Sequence, residues 1–460
     1  MKQISFSTGW CEVTLSDIAD INPTTDKSVY DDDTLVSFVP MPAVEAESGQ
    51  INVTQLRKFG EVKKGYTPFT EGDVLFAKIT PCMENGKMAI VPTLHNEVGF
   101  GSTEFHVLRP YTGINSQFLY YFISSKSFRN EAEHKMTGAV GQKRVPTTYI
   151  QQALINLPPS NEQKRIVSKI EELFSELDKG IESLKTARAK LKIYHLSILD
   201  AAAHGRLPEL SEVDRAQFTE DKYVNLGSLV LEMGQGWSPK CKENPSPNEK
   251  IWGVIKTTAI QHLLFNDSEN KELPSTLAPR EHLEIKSGDI LITRAGPRNR
   301  VGVACLVEKT RRRLILCDKA YRVRVDQKKI LPEYLVMLLN TPKIMWKIEE
   351  IKTGINDSGV NLTQDRFLDL RMPVPEIEVQ KNILESMNRT LSNLNYLELQ
   401  LNEALSISAA LRQSILQKAF SGQLVAQDSS DEPASVLLER IRAEKEKALD
   451  KKPKTKRRAA

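Results

Sequence analysis

Cysteine is scarce in this chain. Its 460 residues hold five, Cys11, Cys82, Cys241, Cys305 and Cys317, and no two are spaced C-x-x-C. An odd count without paired spacing argues against a disulfide framework and against a structural zinc site. Long apolar runs are missing too. The best candidate, Phe118–Ile123, is far short of the ~20 residues that a membrane-spanning helix needs. The opening stretch "MKQISFSTGWCEV" has no apolar centre of the kind a secretory signal carries. These absences point to a reduced, cytoplasmic setting without membrane attachment.

Catalytic signatures are equally sparse. No G-x-x-x-x-G-K-[ST] occurs, and "TGAVGQKR" at Thr137 has the wrong glycine spacing for a phosphate cradle. No G-x-G-x-x-G follows a strand-like run, so no dinucleotide site is expected. "INPTT" and "ENPSP" lack the second proline and aromatic residue of an amino-methyltransferase loop. The seven histidines form no H-E-x-x-H or H-x-x-x-H pair. Glu-x-Lys triplets such as Glu284–Lys286 have no upstream Pro-Asp, which a nuclease core would show. The sequence therefore predicts no catalytic, cofactor-binding or metal-binding residues.

The net charge of +4 conceals an uneven distribution. Residues 440–460 hold ten Lys/Arg against three Asp/Glu, a surplus of +7 that leaves the other 439 residues at −3. Any basic contact surface on the body must be local.

What the sequence does have is an internal duplication. Shifted by 217 positions, Pro158–Leu207 aligns without a gap on Pro375–Leu424, with fourteen identities in fifty. "SILDAAAHGRL" from Ser197 lies on "SILQKAFSGQL" from Ser414. Shifted by 216, Glu71–Val91 lies on Ser287–Val307, where Gly72/Gly288, Asp73/Asp289, Leu75/Leu291, Pro81/Pro297, Gly86/Gly302 and Val91/Val307 are identical. The same shift pairs Phe105 with Tyr321 and Thr137-Gly138 with Thr353-Gly354. Each half reads as a globular domain followed by a helical arm.

In the first arm the apolar positions Ile166, Ile170, Leu173, Leu177, Leu184, Leu191, Tyr194 and Ile198 follow a heptad seam, with Gly180 and Ala187 at the missing steps. The second arm repeats the seam through Ile383, Met387, Thr390, Leu394, Leu397, Leu401, Ala404, Ser408, Leu411 and Ile415. Ser160-x-x-Gln163 has capping-box spacing at the start, and Gly205 and Gly422 suit left-handed caps at the ends. An arm of about 42 residues spans roughly 60 Å. The expected fold is α+β: two globular domains separated by two long antiparallel coiled-coil helices, with an internal pseudo-twofold repeat. The expected boundaries are 1–157, 158–207, 208–374, 375–424, and a polar helix with a basic tail at 425–460.

The chemistry worth noting lies in two duplicated polar loops. Between the shared proline and glycine, "CMEN" in one half has become "RNRV" in the other. Arg, Asn and Lys pair with base edges and phosphates, so the candidates for DNA contact are Lys78, Thr80, Asn85 and Lys87 against Arg294, Arg298, Asn299 and Arg300. The second loop adds Gln142, Lys143 and Arg144 against Asn356 and Asn361. Arg311–Arg313 reads as a solvated turn that attracts phosphate, and Trp10 and Trp237 read as packing residues.

Together, "LPPSNEQKRIV", "VPEIEVQKNI" and "SILQKAFSGQL" resemble the specificity subunits of type I restriction–modification enzymes, and the resemblance covers nearly the whole chain. The second motif departs at Val379, where a glutamate is usual. The resemblance implies two target-recognition domains, each reading one half of a bipartite double-stranded DNA site. It also implies spacer helices that set the gap and dock two modification (methyltransferase) subunits, and two restriction (motor–nuclease) subunits in the complex. Methylation would use S-adenosylmethionine and restriction would use ATP and Mg2+, none of them held by this chain, which would itself be non-catalytic. Two alternatives remain at this point: a self-contained DNA methyltransferase or nuclease, and a coiled-coil assembly scaffold.

Overall fold

The structure is a computed structural model and describes residues 9–139, 141–354 and 356–450, the side chains of 448–450 excepted. The basic ending at 451–460 lies outside the described residues. The chain divides into two compact units, Met1–Ser183 with Ala404–Ala460 and Leu184–Glu403. Each unit therefore holds one globular region and part of both long helices. The expected boundaries set the arms apart as segments of their own; by compactness each arm divides near its middle.

In the first unit the run Val74–Ala77 lies inside an antiparallel sheet ordered Ala19–Ile21, Phe105–Pro110, Val74–Ala77, Met88–Ile90. All four of its residues are buried, because alternate side chains enter two different cores. Val74 and Phe76 face a core that also holds Phe118, Ile166 and Ile170, while Leu75 and Ala77 join Val39, Phe69 and Phe105. A second sheet runs Leu56–Lys58, Leu35–Val39, Val98–Gly101, Thr67–Thr70, with its two inner strands parallel.

The second unit repeats the main sheet in the order Val230–Gln235, Ala320–Val325, Ile290–Thr293, Ala304–Leu306. The duplicated Gly-Asp is structural. Asp73 is buried, takes the backbone N–H of Thr70 at 2.8 Å and binds Arg109 at 2.8 and 2.7 Å. Asp289 repeats this with the N–H of Lys286 at 2.8 Å and Arg324 at 2.9 Å.

Strand register corrects one pairing of the repeat. Phe76 sits opposite His106, and Ile292, its equivalent, sits opposite Tyr321. Tyr321 therefore corresponds to His106 and not to Phe105. The connection between the two strands is one residue shorter in the second unit, which moves the following strand by one position.

The long helices run Ser160–Ala203 and Ile377–Phe420. The capping box does not form. The Ser160 hydroxyl donates to the Gly113 carbonyl (2.9 Å), and the fully buried Gln163 reaches back into the domain. Its Oε1 accepts the N–H of Asn115 at 3.0 Å and its Nε2 donates to the Pro158 carbonyl at 3.0 Å. Gln380 makes the same two bonds, to Leu331 N–H at 2.8 Å and Pro375 O at 2.8 Å. The repeated Gln-Lys-x-Ile thus fastens each helix to the domain before it. At the far ends Gly205 and Gly422 adopt φ of +64° and +72°. The next N–H groups close back on Ala201 O (2.7 Å) and Lys418 O (2.9 Å), as a left-handed cap requires.

The helix seam departs from a strict heptad. Tyr194, Leu397 and Leu411 are 53%, 49% and 48% exposed. One position further on, Arg412 turns inward, lies over the Phe174 ring at 4.2 Å and binds Asp178 at 3.0 Å. A straight helix drifts about 20° per heptad against a 3.5-residue repeat. Four heptads separate Ile166 from Tyr194 and Ile383 from Leu411. The accumulated drift of about 80° is close to one residue step of about 100°, which brings Arg412 toward the seam beside Leu411, while the next seam positions, Ile198 and Ile415, stay buried. Gly180 leaves open space at its Cβ position and is not a point of close helix approach.

After the second arm, Ala434–Asp450 forms a helix whose Ala434, Leu437, Leu438 and Ile441 enter the core of the first unit. Lys445 Nζ donates to Ser16 O at 2.8 Å. Among the described residues no helix is long and apolar enough to cross a membrane, and all five cysteines are free thiols.

Candidate nucleic-acid interface

The two polar loops, some sixty residues apart in each half, meet in space. In the first unit the chain leaves Val74–Ala77 through Lys78, whose carbonyl accepts the N–H of Val145 at 2.9 Å. Thr80 N–H donates to Lys143 O at 3.0 Å. Arg144 bridges Ile79 on one side and Thr137 on the other.

The second unit repeats the core of this scaffold and adds one bond of its own, from Arg298. Leu362 N–H donates to Arg294 O at 2.8 Å, Ala295 pairs with Asn361, and Asn361 bridges Thr353. Arg298 N–H donates to Asp357 O at 2.8 Å. Backbone pairing thus holds two loops together at the end of an inner strand of each main sheet. The side chains differ between the two copies.

Those side chains fall into three groups. Asn85, Gln142, Lys143, Asn299, Asn356 and Asn361 are exposed. Lys78 is half-buried beside them.

Arg144 and Arg298 are half-exposed and held by carboxylates far away along the chain. Arg144 grips Glu104 with Nε at 2.9 Å and Nη2 at 2.8 Å. These bonds keep the Glu104 carboxyl below its usual range against the opposing effect of burial. Arg298 binds Glu349 at 2.7 Å and Asp357 at 2.8 Å. Lys352 and then Arg298 hold Glu349 below its usual range.

The polar ends of the remaining residues turn inward. Lys87 Nζ donates to Met41 O at 3.2 Å and Val44 O at 2.9 Å. Arg300 Nη2 donates to Thr257 O at 2.8 Å and Ile260 O at 2.6 Å. Arg294 donates to Asp318 O at 2.9 Å and lies over the Tyr321 ring at 5.5 Å. The Thr80 hydroxyl donates to Glu84 at 2.7 Å. These four brace the loops from inside, a role that residue type alone does not reveal.

Of the arginine run, Arg311 also turns inward, bonding Asn248 O at 3.0 Å, so it is no solvated turn residue. Trp10 is buried in the core of its unit, and Trp237 lies beneath the Arg280 guanidinium at 4.5 Å. Among the described residues no group of three or more His, Cys, Asp and Glu could hold a metal ion.

The chain resembles known proteins along most of its length. The family described as type I restriction modification DNA specificity domain matches residues 7–186. The Escherichia coli type I restriction enzyme EcoEI specificity subunit is 31% identical, with 91% of this chain and 84% of that protein aligned. Two solved structures share the fold at 20% identity each. One belongs to a study of complex assembly and conformational transition in the type I restriction–modification system, with TM-score 0.69, covering 91% of this chain and all of the other. The other is the HsdS subunit from Thermoanaerobacter tengcongensis, with TM-score 0.57, covering 92% of this chain and 99% of the other. With this extent of similarity on a duplicated scaffold, the chain belongs to the family of type I restriction enzyme specificity subunits.

Proposed function

We propose that this DNA-recognition subunit reads a bipartite, asymmetric double-stranded site, one half with each unit. The observation that carries the reading is the paired-loop scaffold, present twice with the same core backbone pairing and different exposed side chains. Shared backbone gives both halves the same way of presenting a loop pair. Divergent side chains give them different base preferences, since Asn reads adenine and Arg or Lys reads guanine. In the first half Asn85, Gln142, Lys143 and Lys78 face the DNA, joined by Arg144. In the second Asn299, Asn356 and Asn361 do so, joined by Arg298. Guanine edges compete with Glu104, Glu349 and Asp357 for the two arginines, so DNA binding exchanges an internal ion pair for an external hydrogen-bonded contact.

As a specificity subunit the chain assembles with other restriction–modification subunits and DNA. In the proposed complex it performs no catalysis and docks two modification and two restriction subunits. Those partners hold S-adenosylmethionine, ATP and Mg2+. Exposed apolar side chains on the long helices support docking there: Ile193, Tyr194 and Leu196, with Tyr396, Leu397 and Leu399 in the same unit.

The test is a competition assay on the complex with duplexes altered in one half-site at a time. Arg298→Ala with Asn299→Ala should relax discrimination at the second half-site by about 1–3 kcal/mol per lost base contact and leave the first unchanged. Equal loss at both half-sites, or at neither, overturns the assignment.

A further inference from the structure

The equivalent residues His106 and Tyr321 do the same work with different chemistry. Each sits on the middle strand of its main sheet, opposite Phe76 or Ile292. His106 Nε2 lies 2.9 Å from the Val145 carbonyl, and the Tyr321 hydroxyl donates to the Leu362 carbonyl at 3.0 Å. Val145 and Leu362 are themselves equivalent: their N–H groups bond Lys78 O and Arg294 O. In both units, therefore, one buried side chain on the sheet holds the end of the second polar loop.

The tautomer of His106 follows from its neighbours. Asn22 Oδ1 accepts the N–H of Val107 at 3.0 Å, which leaves the Asn22 amide NH2 facing the ring Nδ1 at 3.2 Å. Nδ1 must accept, so Nε2 carries the proton and donates to Val145 O. A second proton on the ring would set Nδ1–H against the Asn22 NH2.

We propose that His106 and Tyr321 are positioning residues for the two DNA-reading loops, and that His106 makes the placement of the first loop sensitive to pH while Tyr321 leaves the second insensitive. The proposal rests on the reading that these loops contact DNA. His106 is 2% exposed. Burial lowers its pKa most; the bond to Val145 opposes that, Lys78 lowers it further and Glu104 raises it. Glu104 is in turn paired with Arg144. The neutral ring's contribution is thus complete above about 6.5, the ordinary histidine value, and declines as pH falls below it. If the loop opens and hydrates the ring, each pH unit between about 6.5 and the lowered value of the closed state favours the open form by up to about tenfold.

Amide hydrogen exchange on the full chain tests this directly, read at Arg144 and Val145 against Asn361 and Leu362. Between pH 7.5 and 5.5, after correction for intrinsic rates, protection at the first pair should fall relative to the second, by up to about tenfold. His106→Phe should lose that protection at both pH values. His106→Gln, which keeps an N–H donor, should retain protection and abolish the pH dependence. Tyr321→Phe should loosen only Asn361 and Leu362. Unchanged protection in His106→Phe, or the same pH response in His106→Gln, overturns the proposal. Half-site competition on the same variants separates the two claims. Loss of protection with intact first half-site discrimination keeps the positioning role and removes the DNA contact from this loop.

Discussion

Replacing Gln163 by alanine removes two hydrogen bonds at a site with no solvent access. The Asn115 N–H loses its acceptor and the Pro158 carbonyl loses its donor, both formerly at 3.0 Å. Each buried backbone group left without a partner costs about 1–3 kcal/mol, so the pair costs about 2–6 kcal/mol before any cavity is counted. A unit of this size moves by roughly 2–4 °C per kcal/mol, so its unfolding transition should fall by roughly 4 °C at the least. Scanning calorimetry of the full chain measures this. Gln380→Ala should lower the transition of the second unit by a similar amount through Leu331 and Pro375. The control is Gln163→Met, which keeps most of the volume but neither polar end. It should destabilise nearly as much as alanine. If methionine restores the wild-type transition, the loss was one of packing and the hydrogen-bond argument is refuted.

Other consequences are open to simpler tests. Gly205→Ala should lower the denaturant midpoint of the second unit, because a Cβ there would meet the Phe218 ring at 2.3 Å while φ stays at +64°. Leu437→Ala should cost the first unit about 2–4 kcal/mol in denaturant titration and leave the second unit alone, since Leu437 is buried in the first unit's core. Four residues inserted beside Thr186 in the first long helix should change the gap between half-sites and preserve both half-sequences in a methylome. An unchanged gap would remove the spacer role.

The arms are legible in the sequence because an apolar repeat sustained over six turns or more arises from little besides a long amphipathic helix. Their caps are legible for the same local reason: a glycine placed after a helical run. The seam is legible only in part, since a 3.5-residue template cannot register the drift that brings Arg412 inward beside Leu411. Gln163 is deceptive because a polar residue in a first helical turn looks like a capping partner, and its real partners are the distant Asn115 and the Pro158 carbonyl just ahead of the helix. The polar loops stand out through the duplication, yet nothing local says that Thr80 bonds Lys143 or that Arg298 bonds Asp357. Long-range pairing likewise hides the inward turn of Lys87 and Arg300, whose side chains suit DNA contact by type but bond carbonyls of Val44 and Ile260. A one-residue difference in loop length hides the register of His106 with Tyr321.

The composition of the first unit has a consequence for biosynthesis. Its core takes Ile415, Leu416 and Ala419 from the second long helix and Leu437, Leu438 and Ile441 from the helix after it. A ribosome that has made residue 183 must add more than 230 further residues before the first of those side chains exists and more than 250 before the last does. At roughly 5–20 residues per second this takes about ten to fifty seconds. During that interval the apolar surface around Phe118, Phe122 and Phe174 has no permanent cover. The domain made first is therefore the one completed last, and the finished first unit reports that translation has passed Ile441.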